Sequence, residues 1–162
     1  MAASACSAAL RLNSLNVDIT LRPATDADRD FLYDLHCSTM RAVIEETWGW
    51  DDEWQARDFE RRFTGYEVWV IEVDDERCGG LMIEATPESF VIHEIQVTPQ
   101  FQRRGIGTMI IRSVLTRAAQ REVVVALSVV PANPGARRLY ERLGFEVTHE
   151  DAPRIYMQHK AS

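Results

Sequence analysis

The chain has 162 residues, 46% hydrophobic and 27% charged, which is ordinary for a globular domain and unlike a disordered or membrane protein. Its net charge of −7 argues against nucleic acid as a partner, because phosphate binding takes a surplus of Lys and Arg on one face. Cys6, Cys37 and Cys78 lie far apart with no CxxC pair, so no disulfide framework and no metal site is expected, and the cytoplasm is the expected location.

Residues 1–16 are rich in Ala and Ser, without the basic start or apolar run of a signal peptide, and are expected to form a flexible tail. No stretch approaches the ~20 apolar residues of a membrane span, so no membrane partner is expected. "VDITLRPA" alternates apolar and polar residues up to Pro23 and predicts a strand. "TDAD" at Thr25–Asp28 matches a capping box and predicts a helix to about Thr47 with Phe31, Leu32, Leu35, Met40, Val43 and Ile44 on its apolar face. On that face His36 reads as a packed, hydrogen-bonded histidine. Gly49 breaks the helix, and Asp51 or Asp52 caps a second one through about Phe63.

"YEVWVIEV", "CGGLMIEA" and "FVIHEIQV" are strand-like runs joined by the short turns "DDER" and "TPES", which predicts an antiparallel meander. A helix from "GIGTMIIRSVLTRAAQ" follows, then "VVVALSVV", an apolar run that suits a strand buried on both faces. "NPGARRLYERL" reads as a helix closed by Gly144, and "FEVTHE" and "RIYMQH" as two last strands. The fold class is α+β, with about seven strands and about four helices in one domain over residues 17–160.

"IQVTPQFQRRGIGT", Ile95 to Thr108, puts a strand end, a basic glycine-bearing loop and a helix start in succession. Gly105 and Gly107 let main-chain N–H groups approach an anion, the helix N-terminus adds partial positive charge, and Arg103 and Arg104 add countercharge. A GxG after a strand is also how an ordinary helix starts, so the loop alone leaves both readings open.

"QRRGIG" resembles the Q/R-x-x-G-x-G/A motif of the GNAT superfamily, the acetyl-CoA-dependent N-acetyltransferases, and "NPGARRLYERLGF" is similar to a second stretch of that family, at Asn133, Ala136, Leu139, Tyr140, Glu141, Gly144 and Phe145. The order of elements from Val17 to His159 resembles the same fold, a mostly antiparallel sheet with a splayed strand pair around the cofactor. The resemblance implies that acetyl-CoA is the cofactor, its pyrophosphate on Gln102, Arg103, Arg104, Gly105, Ile106, Gly107 and Thr108. The pantetheine arm would pair with the main chain of Ile95, Gln96 and Val97, touch Asn133 and Ala136, and bring the thioester near the Val97 N–H. It further implies direct transfer of acetyl to a primary amine of a small molecule or peptide, with Tyr140 as the acid that protonates the departing thiolate.

For the base, Glu94 and His93 on the same strand and water all remain candidates; strand alternation puts Glu94 and His93 on opposite faces unless a bulge intervenes. The position five before Asn133, where other relatives carry a glutamate base, is Ser128. A non-catalytic acyl-CoA sensor is the alternative function. Relatives that pair do so through the late strands, which makes residues 145–159 the expected homodimer interface.

"EETWGWDDEW" holds three of the four tryptophans and is similar to "WGWDE" stretches in bacterial members of the superfamily that have no assigned substrate. Lying at the helix–helix joint, it is the candidate acceptor wall. Trp48 and Trp50 would offer rings to an alkylammonium and Glu45 or Glu46 the countercharge, the opposing reading being that the rings plug the core. Trp54 is expected in the core.

Overall fold

The computed structural model describes residues 9–14 and 17–160. Strand β1 (Leu10–Ser14) pairs antiparallel with β2 (Val17–Pro23). This corrects the expected flexible tail where it overlaps β1. Leu10 and Leu12 alternate with Arg11 and Asn13, a period-two pattern obscured by the Ala- and Ser-rich stretch ahead of it. Residues 1–8 lie outside the described residues.

The Thr25 N–H donates to Asp28 Oδ2 at 2.9 Å, closing a 3-10 turn at Asp26–Asp28, so helix α1 (Arg29–Thr47) starts a turn later than the capping pattern suggests. The same Asp28 carboxylate accepts two bonds from Arg22, at 2.8 and 2.9 Å, fixing α1 to the end of β2. Gly49, with φ 84°, turns the chain. Helix α2 (Asp52–Gly65) begins under Asp51, whose carboxylate accepts from the Trp54 N–H at 2.9 Å.

Strands β3 (Glu67–Val73), β4 (Glu76–Ala85) and β5 (Ser89–Val97) form the expected antiparallel meander. Helix α3 (Ile106–Gln120), strand β6 (Val124–Val129), helix α4 (Pro134–Arg142) and the hairpin of β7 (Glu146–Asp151) and β8 (Arg154–His159) complete the chain. The eight strands of the described residues make one sheet in the order β1-β2-β3-β4-β5-β6-β8-β7, antiparallel except for β5 beside β6.

The two faces of the sheet are covered differently. On one, Ile106, Ile110, Ile111, Val114 and Ala118 of α3 pack with Leu81, Ile83, Phe90, Val125 and Leu127 in the main core, and Leu139 and Tyr140 of α4 lean on the same cluster. Burying each such aliphatic side chain is worth about 1.5–3 kcal/mol. On the other, α1 and α2 contribute only Leu32 and Phe59 to a small buried cluster with Val70 and Met82. No described helix is long and apolar enough to cross a membrane.

Candidate active site

Strands β5 and β6 run side by side only at Ser89–Val91 and Val124–Ala126. Beyond these pairs β6 bonds to β8 alone and a slot opens along β5. The parting coincides with a slip in the β4–β5 register: Met82 faces Glu94 and Ile83 faces Ile92, which leaves His93 without an opposite residue. Phe90 and Ile92 before the slip and Ile95 and Val97 after it all pack in the main core, as a one-residue bulge requires. The bulge bends β5 where its ladder with β6 ends. It also puts His93 and Glu94 on the same α1–α2 side, the exception that the alternation rule allowed.

The Thr98 N–H donates to Cys78 O at 2.7 Å, so strand alternation turns the N–H and C=O of Val97 and Ile95 the other way, into the slot. Gln102 Nε2 donates to Val97 O at 2.9 Å, tying the loop to that edge. The main-chain groups of Gln96 face β4 instead, which corrects its expected place among the slot-facing residues. Its side chain is buried on the α1 side with Nε2 unpartnered, beside a cavity of about 10 Å³ that Leu32, Met82 and Glu94 also line.

The loop turns through two left-handed residues, Arg103 (φ 63°) and Gly105 (φ 77°), and Gly105 is the N-cap of α3. Glycine is the residue that adopts this conformation without strain. Nothing lies within 4 Å of where a Cβ would stand at Gly105 or Gly107, so the first turn of α3, with the N–H groups of Ile106, Gly107 and Thr108, faces open space. The Ile106 side chain is itself buried in the core, leaving that residue only its main chain to offer. Arg104 lies over the Phe101 ring at 5.1 Å. Free main-chain N–H groups at a helix start suit an anion, and the loop ahead of them is tied to the slot edge through Gln102.

On the other side of the slot, Asn133 caps α4, its Oδ1 accepting from the Ala136 N–H at 3.3 Å. Ala136 and Tyr140 are half-buried against the main core, and the Tyr140 ring stands 5.8 Å from Phe145. Burial pushes the Tyr140 phenol above its ordinary pKa, so the group keeps its proton at neutral pH. A cavity of about 220 Å³ lies elsewhere, at the C-terminal end of α3 beside Val123 and His159. It is an open, mostly apolar hollow with no part in the slot.

The α1–α2 side carries a charged cluster. Glu94 Oε1 lies 2.9 Å from Arg62 Nη1 and 2.6 Å from His36 Nδ1, the latter contact out of hydrogen-bond alignment. His36 Nε2 pairs with Gln55 Oε1 at 2.8 Å, and Asp58 Oδ2 lies 3.0 Å from Arg62 Nε. Burial alone would raise the Glu94 pKa, but His36 and Arg62 hold it below the usual carboxylate range. Burial alone would lower that of His36, yet Glu94 and Gln55 bring it above the usual imidazole value. The sequence places His36 correctly as packed and hydrogen-bonded but cannot show its partners, which come from α2 and β5.

His93 instead pairs with Glu84 at 2.8 Å and stacks on Tyr66 at 4.4 Å. Among the described residues no group of three or more His, Cys, Asp or Glu is placed to hold a metal ion.

The tryptophans separate. Trp50 is half-buried, its ring 5.9 Å from His36, its indole N–H donating to Asp52 at 2.8 Å and Arg41 lying over it at 5.1 Å. Trp48 is 50% exposed, with the Arg154 guanidinium 4.8 Å from its ring centre. Glu45 is exposed and pairs with Arg41 at 3.3 Å, and Glu46 is exposed. The rings expected to await a cation thus already carry resident guanidinium groups, and Glu45 neutralises one of them. Trp54, expected in the core, is 53% exposed: the buried stripe of α2 is Gln55, Phe59 and Arg62, and Trp54 falls a helical step to one side of it.

Residues 29–145, more than half of the chain, match the acetyltransferase (GNAT) family. The chain belongs to that family. It is 29% identical over 157 residues to an uncharacterised N-acetyltransferase of Methanocaldococcus jannaschii, covering 86% of this chain and 66% of the relative. It is 31% identical over 105 residues to the ribosomal protein bS18-alanine N-acetyltransferase of Salmonella typhimurium, covering 59% of this chain and 71% of that one. The chain thus spans about two thirds of the length of these curated relatives. In fold it is similar to the crystal structure of PaiA N-acetyltransferase from Thermoplasma acidophilum in complex with coenzyme A, with TM-score 0.71, 13% identity, and 88% of this chain and 98% of that one covered.

Proposed function

We propose that the protein transfers an acetyl group from acetyl-CoA to a primary amine of a small molecule or a peptide. The observation that carries this reading is the slot between β5 and β6 with the glycine-bearing start of α3 at its end. A strand edge and an anion cradle in line match a long ligand with a diphosphate at one end. The main-chain N–H groups of Ile106, Gly107 and Thr108, with Arg103 and Arg104, hold the diphosphate. Ile95 and Val97 pair with the arm, Gln102 releasing the Val97 carbonyl as it enters, and Asn133 and Ala136 line the opposite wall. Acetyl-CoA supplies the activated thioester.

The Val97 N–H polarises the thioester carbonyl for attack by the neutral amine, and as the carbon–nitrogen bond forms and the carbon–sulfur bond breaks Tyr140 gives its proton to the sulfur and regains one from the acylated nitrogen. Glu94, with a depressed proton affinity, is a weak base; it orients α1 and α2 around the acceptor while the ammonium proton leaves to water. Trp48 and Trp50 form the acceptor wall. A homodimer through residues 145–159 belongs to the same proposal, with the edge of β7, exposed along its whole length, as the contact, which leaves Arg154 on β8 open on the α1–α2 side.

Thiol release from acetyl-CoA against amino acids, polyamines, aminoglycosides and peptide N-termini tests the function. Turnover of at least one class is expected, and Tyr140→Phe should lower kcat about 10²–10⁴-fold with acetyl-CoA affinity preserved. Tight acetyl-CoA binding without turnover on any amine would favour a sensor instead.

A further inference from the structure

Arg154 opens β8 beside the slot. Its Nη1 donates to Ser128 Oγ at 3.1 Å, and its guanidinium lies 4.8 Å from the centre of the Trp48 ring, at the C-cap of α1. Ser128 belongs to the part of β6 that has already left β5, so the guanidinium bridges the slot margin to the Trp48 loop. On β6 and β8 the residues packed in the main core are Val125, Leu127, Val129, Ile155 and Met157. Alternation therefore turns Ser128, Arg154 and Tyr156 to the opposite, α1–α2 side, where the acceptor would enter.

The charge of this group is uncompensated. Arg22, Arg29, Arg41, Arg62 and Arg117 each meet a carboxylate, but among the described residues no carboxylate lies within ion-pair distance of Arg154. A guanidinium held on one face by an indole and at one nitrogen by a hydroxyl keeps its other N–H groups free, in the planar fork that suits a carboxylate. In a chain of net charge −7, a fixed and unpaired cation beside the acceptor entrance is a recognition element, since general electrostatic attraction here would favour cations.

We infer that Arg154, positioned by Trp48 and Ser128, binds a carboxylate on the acceptor, and that the acceptor is a primary amine that also carries a carboxylate. This rests on the acetyl-transfer reading. The carboxylate belongs either to a free amino-acid-like molecule or to an acidic peptide, and the arms of the test separate the two.

Thiol release is measured on the wild type and on Arg154→Gln with matched acceptors: free amino acids against their carboxamides, and peptides with acidic against amide side chains. In the wild type the carboxylate form of one series should have a KM about tenfold to a hundredfold lower than its amide. Arg154→Gln should remove that difference while leaving the amide kinetics, the acetyl-CoA KM and the melting temperature unchanged. Ser128→Ala, which loosens the guanidinium without discharging it, should remove only part of it.

Wild-type indifference to the carboxylate, or an equal loss on both members of each pair in Arg154→Gln, would overturn the inference. If no amine is turned over, the acetyl-transfer reading itself fails. The anion question is then decided by NMR titration of the full chain, saturated with coenzyme A, with an N-acetyl amino acid and its carboxamide. Selective binding of the carboxylate that Arg154→Gln abolishes upholds the site, and equal or absent binding of the two rejects it.

Discussion

One face of the sheet is held by an extended apolar core, the other by a small apolar cluster beside a buried charged group. Against α3 and α4 the core is aliphatic and aromatic throughout. Of the five buried polar residues among those described, His36, Gln55, Arg62 and Gln96 lie on the α1–α2 side, and the fifth, Asp28, sits at the head of α1. The difference follows the work proposed for each face. A cofactor gripped by main-chain groups needs a rigid frame and few special side chains. An entrance for a polar acceptor needs a wall that water can reach, and such a wall cannot be closed with isoleucines. Burying charge there costs desolvation that the Glu94–Arg62–His36 contacts must offset.

The largest test of this contrast is Glu94→Ala. It leaves Arg62 and His36 buried without their shared anion and should cost about 3–5 kcal/mol by urea denaturation, as much as or more than Ile111→Ala in the apolar face, expected at about 2–5 kcal/mol. A loss below about 1 kcal/mol, the range of exposed pairs, would show that charge does not hold the α1–α2 face. Next comes Gly107→Val. A Cβ there meets nothing within 4 Å, so the melting temperature should stay near wild type while acetyl-CoA affinity, read by calorimetry, falls about a hundredfold, on the scale of one lost charge-assisted contact. Falling stability with unchanged affinity would mean that the open space serves nothing.

A smaller effect is expected from pH. The His36 pKa is raised on folding, so its contribution is complete below the ordinary histidine value, about 6.5, and is lost as pH rises through the folded-state value. The Glu94 pKa is lowered, so its contribution is complete above the ordinary carboxylate value, about 4.3, and is lost as pH falls through the folded-state value. Stability should therefore decline on both sides of a mildly acidic plateau, and His36→Gln should flatten the alkaline limb alone. The smallest effect belongs to Trp54→Ala, expected within about 0.5 kcal/mol, against a clear loss for the half-buried Trp50→Ala. Equal losses would return Trp54 to the core.

The same contrast explains what could be read from the sequence. The β5–α3 loop and α4 are legible because their demands are local: Gly105 must adopt a left-handed turn, and Asn133 caps the helix it begins. The α1–α2 side resists because its meaning is assembled from a distance. His36, Gln55, Arg62 and Glu94 span three elements, and none shows in sequence that it has a partner. His93 hides the bulge, since one extra residue leaves hydrophobicity unchanged and only shifts the phase of alternation. Trp54 misleads because a tryptophan suggests burial, while its helical phase turns it outward. β1 is masked by the composition of its neighbours.

The bulge at His93 bears on how the strand tolerates changes of length. Deleting His93 would leave Phe90, Ile92, Ile95 and Val97 on one side of β5 and Val91, Glu94 and Gln96 on the other, now in unbroken alternation. The core would therefore keep all its members, and β5 would lose its bend. Its ladder with β6 should then zip past Val91 and Ala126, closing the space that a bound molecule would occupy. Removing that one residue would cost only the Tyr66 stack and the Glu84 pair outside the core, and is expected to decide whether the sheet stays open.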